Sequence, residues 1–400
     1  MKKALFLFAL LLTATGIKAQ LSSEQMTADL HYLRDTLPTK HINLFFDLSR
    51  KDFEERISDI ESRIGTLSDN ELYIELMKVV KSVEDSHTSI SFRKARKYQL
   101  PIHFLPFKEG IYVDRAERED LLYCKLIAIN GVKIKKLKSL FKEIIHHKNE
   151  AFFDYKFPQD ISNAFYLQGL GIAPTTDSID FTFRNENKET FTVTLRPNPK
   201  AKPRIIDAYY NIHSLNTAAT GKIYGVSYDR AGQLAYLHYH ACREDAKYPF
   251  AHFVKDVMDT LAHYSPRKIV IDLRYNSGGS SPIMKPLIDS LQCNYTSTDT
   301  KIYVIIGKQT FSSGILNAIE LKERCNATLV GEHTAGEVNH YGEVRKFTLP
   351  HSRATLRYST KYFLCDDSYN GALRPDKLVP VSVDDFKQGR DSALEYIYKQ

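Results

Sequence analysis

Residues 268–291 read KIVIDLRYNSGGSSPIMKPLIDSL, an apolar strand pattern that passes through paired glycines into a helical pattern. Pro282 stands in the first turn of the predicted helix, where a backbone N–H has no intrahelical partner to lose. Gly278 and Gly279 allow backbone N–H groups to approach a ligand without a side chain in the way. The stretch therefore predicts a buried strand, a loop of backbone donors and a helix.

Strand and helix patterns alternate on both sides of this stretch, from about residue 220 to residue 330. Such alternation favours an α/β domain with a mostly parallel sheet, in which ligands bind where strands end and helices begin. The predicted strands are 234–239, 268–273, 302–306 and 327–330, and the predicted helices are 250–261, 282–291 and 315–321.

Two other patterns precede this domain. Residues 22–84 are predicted to be helical, with helix starts at Ser22, Ser49 and Ser68. Period-two alternation then predicts a β-rich middle module, in which Asn130-Gly131 is typical of a tight hairpin turn. Residues 196–203 are rich in proline and form the best linker. The expected domains are 20–95 (N-terminal helical), 96–200 (middle module) and 205–400 (α/β).

Residues 1–19 have the pattern of a secretory signal peptide: Lys2 and Lys3, an apolar run from Ala4 to Leu12, and a small residue at the end. The run is shorter than the ~20 apolar residues of a membrane-spanning helix, and no later stretch approaches that length. We therefore expect an exported protein, periplasmic or extracellular, without stable membrane insertion.

The composition is that of an ordinary folded protein, with 43% hydrophobic and 26% charged residues. The formal net charge of +7 falls to +4 without the three lysines of residues 1–19, so charge gives no support for binding nucleic acid. The five cysteines show no CxxC or Cys/His metal spacing, and we expect no metal or other cofactor. One disulfide between distant cysteines remains open, and the sequence does not indicate an oligomeric state.

A second strand-to-helix junction is GKQTFSSG, residues 307–314. A hydroxyl at a helix N-terminus lies where the dipole and free N–H groups stabilise developing negative charge, which makes Ser312 a candidate nucleophile. The N–H of Ser313, with that of Gly278 or Gly279, would form the oxyanion hole. The alternative is that Ser312 only caps the helix, because serine is a common N-cap.

A nucleophilic serine needs a base. The chain has 14 histidines, so proximity in sequence selects none of them. His87 stands out because Asp85-Ser86-His87-Thr88 lies between a predicted helix and a predicted strand, where a loop can orient the ring. A structural or surface histidine is the alternative.

Several segments in this order resemble the tail-specific, or C-terminal-processing, serine peptidases, together with tricorn core proteases and interphotoreceptor retinoid-binding-protein repeats. The resemblance covers nearly the whole chain after residue 19. It implies a crotonase-like or Clp-like α/β catalytic domain, preceded by the helical domain and a PDZ-like middle module. The matching segments are DSHT (85–88), IAING (127–131), LAYL (234–237), IDLRYNSGG (271–279), TFSS (310–313), VGEHTAG (330–336) and GALRPD (371–376).

One departure from the family decides the expected mechanism. Members with a Ser-Lys dyad place the lysine 25 residues after the nucleophile, and here that position is Glu337. The sequence instead resembles the tricorn-type branch, which implies His87 as the base. The orienting acid is Glu337 or Asp367, and both could equally be solvated loop carboxylates.

The resemblance implies a serine endopeptidase that acts on proteins or peptides through an acyl-enzyme at Ser312. The main alternative is a ligand-binding or peptide-binding protein without catalysis, because loss of the dyad lysine leaves that reading open. A third reading is an acyl-CoA enzyme of the crotonase type, against which the helical domain and the middle module argue.

Overall fold

The computed structural model describes residues 21–200, 206–207 and 222–400. The predicted signal segment, residues 1–19, lies outside the described residues, and the predicted linker is described only to residue 200. None of the described helices is long and apolar enough to cross a bilayer. The helices are α1 (Ser23–Lys40), α2 (Arg50–Arg63), α3 (Asp69–Lys81), α4 (Ile134–Phe141), α5 (Glu150–Asp160), α6 (Ala164–Gly169), α7 (Phe250–Tyr264), α8 (Lys285–Tyr295), α9 (Ser313–Cys325), α10 (Val383–Lys387) and α11 (Ser392–Tyr398).

The strands of the described part of the chain form three sheets. The strands are β1 (Ser89–Ser91), β2 (Ile102–Phe107), β3 (Gly110–Ala116), β4 (Lys125–Ile129), β5 (Val132–Lys133), β6 (Ile179–Arg184), β7 (Thr190–Leu195), β8 (Ile206–Asp207), β9 (Tyr224–Asp229), β10 (Leu234–Tyr239), β11 (Lys268–Asp272), β12 (Lys301–Ile306), β13 (Thr328–Gly331), β14 (His340–Thr348), β15 (Thr355–Phe363) and β16 (Lys377–Leu378).

The largest part of the C-terminal half is a sheet in the order β16-β13-β12-β11-β10-β9. Its neighbours pair in parallel from β10 to β16, and β9 is antiparallel at one edge. Leu237, Ile271 and Val304 pack with α7, α8 and α9, whereas Tyr236 and Val270 pack with α11. This architecture confirms the predicted α/β fold, in which helices cover both faces of a mostly parallel sheet.

The N-terminal helices begin at the residues that the sequence predicts. Ser22 forms a capping box with Gln25, Ser68 forms one with Glu71, and the hydroxyl of Ser49 caps α2. These starts are readable from sequence because a side chain within three residues satisfies the free N–H groups of the first turn.

The middle module contains an antiparallel sheet in the order β2-β3-β4-β6-β7. Its predicted turn is present between β4 and β5, where Asn130 has φ 46° and Gly131 has φ 76°. Helix α5 packs against the edge strand β2. The module is β-rich as predicted, and its PDZ-like character stays a prediction.

A long hairpin, β14–β15, is not indicated by the sequence patterns. Strand β15 pairs antiparallel with β1, with Ile90 opposite Leu356. Leu356 and Tyr358 are buried in the same core as the N-terminal helices, although they belong by sequence to the predicted 205–400 domain. Because β1 begins at Ser89, the hairpin fixes the chain directly after His87.

Candidate active site

Ser312 lies at the N-cap position of α9 with φ 51° and ψ −127°, a backbone conformation that costs free energy for any residue other than glycine. Thr310 holds the turn, because its Oγ1 accepts a hydrogen bond from the N–H of Gly307 (3.0 Å) and donates one to the carbonyl of Leu273 (2.8 Å). The hydroxyl of Ser312 makes no capping bond and has no hydrogen-bond partner among the described residues. Helix capping therefore does not account for this serine.

The paired glycines lie directly against the serine loop. A Cβ on Gly278, which has φ 102°, would lie 2.7 Å from Ser312 Cβ and 3.1 Å from the backbone nitrogen of Ser313. A Cβ on Gly279, which has φ 136°, would lie 2.2 Å from the carbonyl oxygen of Cys242. Both positions exclude any side chain, Gly278 because of the serine loop and Gly279 because of the backbone at Cys242.

Two backbone N–H groups at this junction have no acceptor. Those of Ser313 and Gly279 donate to nothing within the described residues, whereas that of Gly278 donates to Asn276 Oδ1 (2.9 Å). The hydroxyl of Ser313 donates to the carbonyl of Gly279 (2.8 Å), which ties the two loops together. Of the predicted oxyanion donors, Ser313 and Gly279 therefore have an N–H free for a ligand, and Gly278 does not.

His87 is brought beside this loop by ring stacking. Its imidazole is 8% exposed and lies 4.3 Å, centroid to centroid, from the ring of Phe311, the residue before Ser312. Neither ring nitrogen has a hydrogen-bond partner. Burial lowers the pKa of His87 to about 4, against a smaller opposing effect of the Asp85 carboxylate. The ring is thus neutral near pH 7 and able to accept a proton.

Asp85 is a buried carboxylate that the sequence-based assignment of acids leaves out. It accepts hydrogen bonds from the side chains of His41 (3.1 Å), Thr88 (2.6 Å) and Ser359 (2.6 Å), and from the backbone N–H of His87 (2.9 Å). Burial alone would raise the pKa of Asp85, but these donors and the nearby His87 hold it well below its usual range. Its position two residues before His87 is the signal that could have identified it.

Asp85 orients the His87 segment through the backbone rather than through the ring. Asp85 Oδ1 lies 3.9 Å from His87 Nδ1, beyond hydrogen-bonding distance. His41 Nδ1 accepts the N–H of Asn43 (3.1 Å), so His41 Nε2 is the nitrogen that donates to Asp85. The carboxylate is therefore ionised, saturated with donors and adjacent to the base candidate.

The two acids predicted from sequence do not hydrogen-bond to His87. Glu337 is partly buried and lies next to Gly336, where a Cβ would be 3.3 Å from the backbone nitrogen of Ser312. Asp367 is exposed and has no hydrogen bond or ion pair among the described residues. The structure thus brings Glu337 to the serine loop and leaves Asp367 at the surface.

His340 is a second histidine of the site and is missing from the sequence-based assignment. Its ring lies 5.2 Å from that of His87 at an interplanar angle of 11°, and 5.3 Å from that of Phe363. His340 Nδ1 donates to the carbonyl of Glu337 (2.9 Å), and Nε2 has no partner. Phe311, His87, His340 and Phe363 therefore form one continuous stack, and the β14–β15 hairpin supplies half of it.

A cavity of about 350 Å³ lies between the middle module and the α/β sheet. Strand β2 forms one wall, and Arg274 and Lys308 contribute to another. The loop of Arg274 continues to Gly278, and that of Lys308 continues to Ser312. Lys308 is paired with Glu332 (2.6 Å). The cavity is next to both loops that form the candidate site.

The unpaired serine hydroxyl and the two free N–H groups lie at strand-to-helix junctions of the α/β sheet, and the buried neutral imidazole lies in the segment between α3 and β1. These groups have the chemistry of a nucleophile, two oxyanion donors and a base. No family model matches the chain, and no curated protein matches its sequence. Solved structures match along nearly its whole length. Mature CPAF complexed with lactacystin has a TM-score of 0.66 at 14% identity, over 94% of this chain and 97% of CPAF.

A serine-to-alanine mutant of CPAF gives a TM-score of 0.65 at 13% identity, over 94% of this chain and 97% of that one. The photosystem II D1 C-terminal processing protease gives a TM-score of 0.43 at 11% identity, over 93% of this chain and 99% of that one. The chain has the fold of CPAF, and the fold implied by the ordered motifs is confirmed.

Proposed function

We propose that this protein is an exported serine endopeptidase that cleaves protein or peptide substrates through an acyl-enzyme at Ser312. The observation that carries the proposal is the stacking of His87, whose two ring nitrogens have no partner, on Phe311, the residue directly before the free hydroxyl of Ser312. Leaving the buried imidazole of His87 unpaired costs about 1–3 kcal/mol, so this ring calls for a functional explanation. The fold shared with mature CPAF, which was solved in complex with lactacystin and as a serine-to-alanine mutant, supports the same class of reaction.

In the proposed reaction, His87 accepts the proton of the Ser312 hydroxyl as the oxygen attacks the scissile carbonyl. The ring can turn toward the hydroxyl without breaking a hydrogen bond, because neither nitrogen is engaged. The N–H groups of Ser313 and Gly279 then stabilise the oxyanion. His87 returns the proton to the leaving amine, and water hydrolyses the acyl-enzyme by the reverse sequence of proton transfers.

Asp85 would act as a positioning residue. Its four hydrogen bonds fix the loop that carries His87, and its negative charge stabilises the imidazolium that forms during attack. Glu337 and Asp367, the two acids expected from sequence, have no support for this role. The export part of the proposal rests on residues 1–19 alone, and N-terminal sequencing of the secreted protein would locate the cleavage site.

The test is labelling with a serine-directed fluorophosphonate, followed by mass spectrometry of the adduct. We expect the adduct on Ser312, and none in Ser312→Ala. Ser290→Ala is a matched control, because that hydroxyl lies on the exposed face of α8 and bonds only to the carbonyl of Pro286. Unchanged labelling of Ser312→Ala would refute the assignment.

Peptide-library digestion by the wild type and by Ser312→Ala, with product ends mapped, tests the endopeptidase reaction. Cleavage within chains by the wild type alone supports the proposal. If Ser312 is labelled by the phosphonate but the unlabelled wild type binds library peptides without cutting them, the binding-protein alternative is favoured.

A further inference from the structure

Cys242 is a buried cysteine that lies directly against the glycine loop of the candidate site. Its backbone N–H donates to the carbonyl of Gly278 (2.9 Å), and its carbonyl accepts the N–H of Ser280 (2.7 Å). These two bonds form an isolated parallel bridge that brackets Gly279. The N–H and C=O of Gly279 itself stay outside this pairing, so the C=O accepts the hydroxyl of Ser313 and the N–H remains free.

The thiol of Cys242 makes a second set of contacts. Its Sγ lies 3.4 Å from Oδ1 of Asn276 and 3.3 Å from Oδ1 of Asn317. Burial raises the pKa of this thiol to about 11, so the sulfur keeps its proton near pH 7 and acts as a donor. One thiol proton therefore serves two amide oxygens.

Backbone partners fix the orientation of both amides. Nδ2 of Asn276 donates to the carbonyl of Tyr239 (2.9 Å), and Nδ2 of Asn317 donates to the carbonyl of Ser281 (3.1 Å). Each Oδ1 therefore faces the sulfur, where only a donor is favourable. Both side chains are fully buried, and Oδ1 of Asn317 has no other donor among the described residues. Loss of the thiol would leave that oxygen unpaired and away from water.

Asn276 connects the thiol to both loops of the candidate site. The Oδ1 that faces Cys242 also accepts the N–H of Gly278 (2.9 Å). Its backbone carbonyl accepts the N–H of Phe311 (3.0 Å), the residue before Ser312. If the amide turned over, its Nδ2 would face the N–H of Gly278 and this bond would be lost. The thiol thus helps to keep Gly278 engaged, which leaves Gly279 as the loop's free donor.

We infer that Cys242 is a positioning residue of the oxyanion hole, whose thiol and backbone together hold the free N–H groups of Gly279 and Ser313 in one fixed arrangement. Asn317 extends this hold to α9, the helix that begins directly after Ser312. The inference rests on the proposed function, because an oxyanion forms only if Ser312 attacks a carbonyl. The thiol takes no part in the chemical step.

The experiment compares two inhibitors built on the peptide of a mapped cleavage site, an aldehyde and the corresponding alcohol. With the aldehyde, Ser312 Oγ bonds to the carbonyl carbon, the hydroxyl proton passes to His87, and the carbonyl oxygen becomes the oxyanion. The alcohol binds through the same peptide contacts without forming this bond. The ratio of the two inhibition constants therefore reports on the covalent adduct and its oxyanion donors.

We expect this ratio to fall by ~10-fold in Cys242→Ala, with kcat reduced to a similar extent and KM nearly unchanged. The effect should be smaller than the roughly 10²–10³-fold loss that follows removal of an oxyanion donor, because the donors are displaced and not removed. Cys242→Ser is the conservative variant. Its hydroxyl can donate to the same amide oxygens, so it should restore most of the ratio.

Cys325→Ala is the matched control. Cys325 is also buried, burial also raises its pKa to about 11, and its Sγ bonds only to the carbonyl of Ile288 (3.6 Å), at the opposite end of α9 from Ser312. This variant should lose stability as Cys242→Ala does and keep the ratio. Inhibition constants do not depend on how much of a variant is folded. If Cys242→Ala gives no folded protein, Cys242→Val, which fills the space without a donor, takes its place.

The outcomes separate this inference from the proposed function. An unchanged ratio in Cys242→Ala, an equal fall in Cys325→Ala, or no recovery in Cys242→Ser would overturn the role of Cys242 alone, provided that the phosphonate still labels Ser312 in the wild type. Absence of that labelling would overturn both.

Discussion

The imidazole of His87 stacks on the ring of Phe311 with 4.3 Å between centroids and 30° between planes. Phe311 directly precedes Ser312, and its own backbone N–H donates to the carbonyl of Asn276 (3.0 Å). The base candidate is therefore located by packing against the serine loop, since no hydrogen bond holds its ring. The activity of a site built in this way should fall more when one of the stacked rings is removed than when a surface charge is removed.

Phe311→Ala should lower kcat/KM by ~10-fold or more, because removing the ring releases the imidazole from its position relative to Ser312. Phe363→Ala removes the ring at the opposite end of the same stack. That ring contacts His340 rather than His87. We expect a smaller loss for that control. Equal losses in both variants, measured as kcat/KM on one peptide, would contradict the special position of Phe311.

The pH dependence of activity should show an acidic limb near the pKa of His87, which is about 4 and not the 6.5 of an unperturbed histidine. The enzyme should therefore keep most of its kcat/KM at pH 5. A limb near pH 6.5 would show either that His87 is solvated in solution or that it is not the base.

The free energy of unfolding should also depend on pH through the titration of His87. The unfolded chain protonates His87 near pH 6.5 and the folded chain only near 4, so the unfolded state binds more protons between these values. The free energy of unfolding should therefore rise with pH across this window, so that about 3 kcal/mol contributed by His87 is lost as the pH falls from 6.5 to 4. Because His238 also has a pKa lowered to about 4, urea unfolding of wild type and His87→Gln must be compared to isolate the contribution.

Gly278→Ala should remove activity and destabilise the fold. The new Cβ would lie 2.7 Å from Ser312 Cβ, and the residue would keep a φ of 102°, so we expect ~2 kcal/mol or more of lost stability. Gly131→Ala is the matched control, since φ is also positive there (76°) but nothing lies within 4 Å. It should cost stability without affecting the rate of phosphonate labelling of Ser312.

The features that sequence predicts correctly are local. The capping boxes at Ser22 and Ser68 and the turn at Asn130-Gly131 depend on residues within three positions of each other, and the order of strands and helices follows from hydrophobic period. Ser312 and the two glycines were identifiable because strand-to-helix junctions of a parallel sheet meet at one edge.

The features that sequence does not predict depend on pairing between distant segments. The β14–β15 hairpin joins β1, and only this pairing brings His340 onto His87 and Ser359 onto Asp85. The choice between Gly278 and Gly279 as a free donor depends on the rotamer of Asn276, which a residue pattern does not encode.

Asn149 links the middle module to the loop beside Ser312, and its two functions can be separated by mutation. Its Oδ1 caps α5 by accepting the N–H of Ala151 (3.0 Å), and its Nδ2 donates to the carbonyls of Thr334 (3.1 Å), Ala335 (2.8 Å) and Gly336 (3.3 Å). Asn149→Asp keeps the capping oxygen but replaces the donor by an acceptor that faces three carbonyls.

We therefore expect Asn149→Asp to lower kcat/KM by ~10-fold, because the loop that places Gly336 against Ser312 loses its clamp. Asn149→Ala should lose the cap as well, with a further ~1 kcal/mol of stability. Ser49→Ala, which removes only the cap of α2, should cost about the same ~1 kcal/mol and leave kcat/KM unchanged. Thermal unfolding and kinetics check this prediction. If Asn149→Asp, like Ser49→Ala, leaves kcat/KM unchanged, then the contact of Asn149 with the loop has no part in positioning the serine.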